Sequence, residues 1–309
     1  MTFADAQVQG LRPRGVYARL VAFRWSDLLV LQGPPLLGVA FAPRTLTSAT
    51  VFPLLLLLLA NSLLLAYVFL LNDSEGLLAD SQDPNKARKT AVATVVGRRE
   101  MGLLSIGLGC LGLFFFSFLP LPVLLLAVSI AVLGLVYSSR AIHAKGIPIL
   151  SSAVHLAGGV LLFLLGYALF GDVDRRGLLI GLYFALIFVA GHLNQEVRDY
   201  EADQRSGIVT NAVRFGKRRT FLAGFLVFTC SYGYLLWLGS LNILPSRLWG
   251  ILVFYPVHAV LFWRTFRGDL SFESISRFRT QYRMLYALVG VALVVIMWSA
   301  PSPGPPKLP

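Results

Sequence analysis

Between Val51 and Leu71 only Pro53, Asn61 and Ser62 interrupt an apolar run. A helix of that length rises by about 30 Å, the thickness of a bilayer's hydrocarbon core. With no water there to meet backbone N–H and C=O groups, the run must satisfy them internally, as a helix does. This run occupies 50–71, and comparable ones fall at 26–42, 101–118, 121–137, 150–170, 177–197, 220–239, 247–263 and 282–299. The pattern predicts an all-α integral membrane protein, a bundle of about nine transmembrane helices. Composition agrees: 56% of residues are hydrophobic and 14% charged, against about a quarter charged in soluble domains. Pro34 and Pro35 are expected to kink the first span, and Pro120 and Pro122 mark a tight turn between the third and fourth.

Residues 26–299 read as a single transmembrane domain. Residues 1–25 read as a cytoplasmic segment without the apolar core and cleavage site of a secretory signal. The proline-rich residues 300–309 read as a disordered tail. Cys110 and Cys230 lie inside apolar runs and read as small core residues, not as a disulfide framework.

A net charge of +12 could suggest nucleic acid, but the placement of the charges points to the lipid bilayer instead. Loops 72–100, 138–149, 199–219 and 264–281 hold most of the lysines and arginines, whereas the intervening loops and tail hold Arg44, Arg175, Arg176, Arg247 and Lys307. The positive-inside rule puts the first set of loops and the N-terminus in the cytoplasm. An odd number of spans then leaves the C-terminus outside.

Acidic residues are scarcer and more clustered. One stretch holds Asp73, Glu75, Asp80 and Asp83, the other Glu196, Asp199, Glu201 and Asp203, each where a span meets a cytoplasmic loop. Ionisable groups at that depth are costly and suggest a function. The stretches also match at a constant offset of 123 residues: Asn72-Asp73 with Gln195-Glu196, and Ala79-Asp80 with Ala202-Asp203. A repeated helical hairpin would explain this. On a regular helix Asp73 and Asp80 share a face, as do Glu196, Asp199 and Asp203. Crowded carboxylates repel unless cations hold them. Hard oxygen donors without an accompanying Cys or His cluster select Mg²⁺, which is usually shared with substrate phosphates. Lys145 and the basic residues after each stretch, among them Lys86 and Arg88, could meet phosphate oxygens. Asn194 and Tyr200 are placed to line a substrate cavity. His155 and His192 lie within spans and lack the spacing of a zinc site.

Asn72-Asp73 with Asp80, then Asp199-x-x-x-Asp203-x-x-x-Gly207, resembles the paired aspartate-rich motifs of the UbiA superfamily of intramembrane prenyltransferases. Tyr137-Ser138 followed by Lys145 is similar to that family's tyrosine–lysine loop. The resemblance implies nine helices around a central cavity and two Mg²⁺ ions holding an isoprenyl diphosphate. It assigns Asn72, Asp73, Asp80, Asp199 and Asp203 to the metal; Glu196, outside the family's pattern, could compensate as a further ligand from the opposite side. Asn72, Tyr137, Lys145, Lys86 and Arg88 would serve the substrate, and Asp73, Asp199 and Lys145 the chemistry. Gly76 departs from the pattern, since the family usually has a further Asp there. Glu75, one residue away, points about 100° round a regular helix. The activity implied is transfer of an isoprenyl group to a small acceptor, an aromatic ring in many members. One alternative is cyclisation of the isoprenyl diphosphate without an acceptor. Another, from a different class, is an ion-coupled transporter, although transporters place such charges near the bilayer midplane.

Overall fold

The computed structural model describes residues 25–43, 47–81, 97–139 and 141–298, excepting the side chains of 78–81. The expected N-terminal segment, apart from Trp25, and the expected tail lie outside the described residues.

The described residues form helices joined by short turns, without strands. These helices are α1 (Trp25–Val30), α2 (Gly33–Phe41), α3 (Ser48–Ser81), α4 (Arg98–Phe116), α5 (Leu121–Ser138) and α6 (Leu150–Phe170). They continue as α7 (Arg175–Arg198), α8 (Tyr200–Arg205), α9 (Asn211–Phe215), α10 (Lys217–Ser240), α11 (Tyr255–Phe266) and α12 (Phe272–Trp298). Short 3₁₀ segments cover Ala144–Gly146 and Ser246–Phe254, the latter running straight into α11. Eight stretches among the described residues are long and apolar enough to cross a membrane. The chain is an integral, multi-pass membrane protein.

The first expected span differs from the rest. It is broken into α1 and α2 at Leu31 and Gln32, just ahead of Pro34 and Pro35. Proline lacks the N–H that a continuing helix needs and disfavours helical geometry in the residue before it. The break also explains the polar pair inside the longest apolar run. Gln32 Nε2 donates to Ser62 Oγ at 3.0 Å, and Asn61 Nδ2 donates to Gln32 Oε1 at 2.8 Å. Such bonds between helices in lipid contribute roughly 0.6 kcal/mol each and up to about 2.

Two helices run well past the apolar runs that predict them. α3 continues to Ser81, carrying Asp73, Glu75 and Asp80 of the first acidic stretch as helix, and α12 begins at Phe272, ten residues before the expected 282. Helical hydrogen bonding does not stop where hydropathy falls, so polar turns extend the rods beyond the membrane.

α6 and α7 form the centre. Their span windows are 56% and 61% buried, against 22–39% for the others. α7 packs between α6 and α10, α6 also meets α2 and α5, and α3 lies against α4 and α5. The α2–α6 contact is backbone to backbone. A side chain at Gly166 would collide with the Pro35 carbonyl, and one at Gly38 with the backbone of Phe163 and Tyr167. Small residues permit this approach where lipid offers no hydrophobic drive for helix association. Phe52, Leu103, Leu125 and Val291 expose their side chains outward, as a lipid-facing surface requires. Cys110 and Cys230 are free and also exposed, not in the core as expected. Both surfaces of a membrane helix are apolar, so hydropathy cannot separate them.

Candidate functional site

Three segments meet at one end of the bundle. The first is the end of α3. Asp73 is buried there with 4% of its surface exposed, and Asn72 beside it is half-buried. Glu75 points to α4, where Arg98 Nη2 donates to both its carboxylate oxygens at 3.0 and 2.9 Å. Helix α3 is continuous at this point, so Glu75 keeps its own face, where it meets Arg98. The side chain of Asp80, and all of Asp83, Lys86 and Arg88, lie outside the described residues.

The second segment is the turn from α7 through α8. The expected common face of Glu196, Asp199 and Asp203 is interrupted. α7 ends at Arg198, Asp199 takes φ −89°, ψ 6°, and α8 begins at Tyr200. The hydrogen bonds Asp199 N→Gln195 O (3.0 Å) and Asp203 N→Asp199 O (2.9 Å) keep the path close to helical. Helix α8 then stops at Gly207. Ile208 N donates to Asp203 O and Gly207 N to Gln204 O, with Gly207 at φ +69°. This is a Schellman ending, in which a left-handed residue satisfies the last free carbonyls. A Cβ at Gly207 would meet nothing within 4 Å, so the glycine is required by its backbone angle, not by crowding. Asp203 is buried at 6% exposure, and α8 packs against α3. The helices that carry the two acidic stretches are thus in contact. Asp199 pairs with its neighbour: Arg198 Nε and Nη2 donate to Oδ1 and Oδ2 at 2.7 and 2.8 Å.

The third segment is the loop between α5 and α6, which carries Lys145 on its 3₁₀ turn. Its far side packs on the ending of α8, since a Cβ at Gly146 would lie 3.8 Å from Ile208 Cγ2. Its near side senses α3. The His143 imidazole is pushed below its ordinary pKa by partial burial and then by the Lys145 ammonium, with the Glu75 carboxylate opposing them. The lysine loop therefore lies at the same end of the bundle as Glu75 and the ending of α8.

Beneath these segments runs a layer of buried polar groups that sequence reasoning largely missed. Glu196 Oε1 accepts from Ser151 Oγ at 3.0 Å and from Asn211 Nδ2 at 3.2 Å. His192 Nε2 lies 3.0 Å from the same oxygen, close but poorly aligned for a hydrogen bond. The His192 ring stacks on His155 with centroids 3.6 Å apart, and Tyr137 meets His155 edge-on at 5.1 Å. Tyr137 thus reaches the site through the histidines. The i, i+4 spacing of His192 and Glu196 could have revealed one link. Nothing local could reveal Asn211, which lies 60 residues from Ser151.

Other predicted residues sit elsewhere. Asn194 is buried against α10, where a Cβ at Gly224 would lie 2.9 Å from its Oδ1. The Tyr200 ring lies under the Lys217 ammonium at 5.6 Å and packs against a buried cluster that includes Val197, Phe221 and Phe278. Lys217 itself donates to Glu201 at 2.7 Å.

Among the described residues no three His, Cys, Asp or Glu side chains could hold a metal ion by themselves. Asp73 on α3 and Asp199 and Asp203 on the α7–α8 turn offer hard oxygen donors. That set fits Mg²⁺, which binds through one or two carboxylates and completes its octahedron with substrate phosphates and water.

The model of the UbiA prenyltransferase family matches residues 33–289. No curated protein sequence matches the chain. Several solved structures share its fold. One is a UbiA homologue from Archaeoglobus fulgidus bound to DMAPP and Mg²⁺, with TM-score 0.67 and 19% identity over 91% of this chain and 100% of that one. Another is the apo UbiA homologue from Aeropyrum pernix K1, with TM-score 0.67 and 16% identity over 89% and 99%. A third is a digeranylgeranylglyceryl phosphate synthase, with TM-score 0.64 and 16% identity over 92% and 99%. With the family match spanning the bundle from α2 to within α12, the chain belongs to the UbiA prenyltransferase family.

Proposed function

We propose that this chain is a divalent-metal-dependent prenyltransferase. It would move an isoprenyl group from an isoprenyl diphosphate to a small acceptor within the membrane. The observation that carries this reading is the meeting of Asp73, the Lys145 loop and the Asp199–Asp203 turn at one end of the bundle. The A. fulgidus homologue of the same fold, bound to DMAPP and Mg²⁺, supports the substrate class. A transporter reading is disfavoured because the paired acids lie at a helix end, not at mid-span.

In this reading Asp73 with Asn72 on one side, and Asp199 and Asp203 on the other, hold the cations, with Asp80 completing the first set. Bound Mg²⁺ would neutralise the charge developing on the leaving diphosphate and so ease cleavage of the allylic C–O bond. Lys145 meets the diphosphate oxygens from the loop between the two stretches. Glu196 takes a supporting role, because one of its oxygens already serves Ser151 and Asn211. The surrounding helices keep water from the allylic centre while the acceptor attacks it. The acceptor's displaced proton leaves with solvent or diphosphate.

The test is incubation of the purified protein with labelled isoprenyl diphosphates of several lengths, with and without candidate acceptors. Products heavier than the acceptor by one isoprenyl unit or chain establish the transferase. A cyclic hydrocarbon formed without acceptor would replace it with the cyclase, and intact diphosphate in every arm would overturn both. We place the site on the cytoplasmic face by the lysine and arginine bias. A reporter fused after Arg218 should read as cytoplasmic and one after Arg175 as external; the reverse pattern would invert the orientation.

A further inference from the structure

Asn211 is the first residue of a five-residue helix, α9, and a local reading makes it part of a helix start. That position is already served: Thr210 is the N-cap, and its Oγ1 accepts from Val213 N. The Asn211 amide is instead turned inward, buried at 5% exposure, and all its polar atoms are used. Its Oδ1 accepts from Ile149 N at 2.8 Å. Its Nδ2 lies at 3.1 Å from Ser151 Oγ, 3.2 Å from Ser152 Oγ and 3.2 Å from Glu196 Oε1. One side chain therefore joins the segment after the motif turn, the N-terminus of α6, and α7 one turn before Asp199.

The contact with Ile149 has particular weight. Ile149 has φ +68° and His143 φ +49°, so the loop bearing Lys145 is bracketed by two positive-φ residues that are not glycine. For a β-branched side chain that conformation is an outlier, and it persists only where its surroundings over-determine it. The Ile149 N–H precedes the first turn of α6, and Asn211 supplies its acceptor from a distant part of the chain.

We infer that Asn211 is a positioning residue: it fixes the Lys145 loop to the helix end carrying Asp199 and Asp203, so that lysine and carboxylates grip one diphosphate together. The inference rests on the reading of the site given above. A one-ångström shift between groups that share a ligand can cost about a hundredfold in rate, which makes a clamp of this kind worth having.

The test measures affinity of the full-length protein in detergent for inorganic pyrophosphate with Mg²⁺, well below the thermal midpoint. The variants are Asn211→Ala, Asn211→Asp, Glu196→Gln and the double Asn211→Asp/Glu196→Gln. Asn211→Asp retains an acceptor for Ile149 N–H but sets a carboxylate against Glu196. In the double variant the two groups exchange roles, the amide introduced on α7 donating to the carboxylate introduced on α9. The single Asn211 variants should bind pyrophosphate at least about tenfold more weakly, with the double variant recovering to within roughly threefold of wild type, since coupled neighbours are non-additive. If Asn211→Ala does not fold, the Asp variant and its rescue still decide. Pyrophosphate binding within twofold of wild type in the Asp variant, or a lowered midpoint with unchanged affinity, overturns the clamp alone. Wild-type protein that binds no pyrophosphate with Mg²⁺ overturns the diphosphate site and the clamp with it.

Discussion

The two acidic stretches look alike in sequence and fold differently. The first, as far as it is described, lies inside one continuous helix that runs from Ser48 to Ser81, so its residues follow one helical register. The second breaks at Asp199, turns through α8, ends at a left-handed Gly207 and restarts at a Thr210 cap. One stretch is a fixed platform, and the other folds over the end of the bundle to meet it. The left-handed glycine and the cap that follow the second stretch give it a path that the first stretch lacks.

The largest effect expected is from metal removal. Exhaustive chelation with EDTA should abolish turnover, and added Mg²⁺ or Mn²⁺ should restore it, because oxygen-only donors select such ions. Full activity with metal absence confirmed by elemental analysis would make both stretches structural and end the comparison. Next in size are Asp73→Asn, Asp199→Asn and Asp203→Asn. Each keeps side-chain volume and removes a charge, and each should lower kcat/KM more than tenfold, which corresponds to about 1.4 kcal/mol or more. A loss confined to the second stretch would show that the platform does not take part.

Much of the architecture was legible because a bilayer reduces folding to hydropathy and length. The apolar runs predict the spans, and Pro34 with Pro35 predicts the disturbance of the first, although as a kink and not the full break observed. Asp199, Asp203 and Gly207 were recognisable because their spacing is local. The polar layer under the site was not legible. Ser151, Glu196 and Asn211 meet only after three segments have packed, and a polar residue in a turn reads as ordinary loop chemistry. The same limit applies to Glu75, whose partner Arg98 lies 23 residues away on another helix. Asn194 and Tyr200, expected at a cavity, have neighbours on α10 that no local pattern names: Gly224 beside the Asn194 amide and Lys217 over the Tyr200 ring.

A sharper contrast comes from the glycines. A Cβ at either Gly76 or Gly207 would meet nothing within 4 Å, so alanine tests backbone preference alone. At Gly207, with φ +69°, alanine should destabilise the protein by about 1–2 kcal/mol. It should also loosen the turn and raise the Mg²⁺ concentration needed for half-maximal rate. At Gly76, in the interior of α3, alanine should stabilise by roughly 0.5–1 kcal/mol. Thermal midpoints moving in opposite directions would bear out the platform-and-fold distinction. Midpoints moving together would mean that the two stretches are held alike.

The smallest effects belong to the first stretch's missing ligand. If Gly76 leaves that half of the site short of an oxygen, Gly76→Asp adds charge and a donor, and should lower the half-maximal Mg²⁺ concentration about two- to fivefold. The helix has room for the first carbon of the new side chain, so a fall in rate at every Mg²⁺ level would mean that substrate occupies the space beyond. Glu75 is the acidic neighbour best placed to substitute, and its two oxygens already face the Arg98 guanidinium at 3.0 and 2.9 Å. Glu75→Gln should therefore leave the Mg²⁺ dependence where it is. It should lower stability by no more than about 1 kcal/mol, as for other partly exposed ion pairs. A raised Mg²⁺ requirement in Glu75→Gln, with Arg98→Gln behaving as wild type, would show that Glu75 leaves its partner to serve the metal. The first stretch would then be a fold-over site like the second, and not a platform.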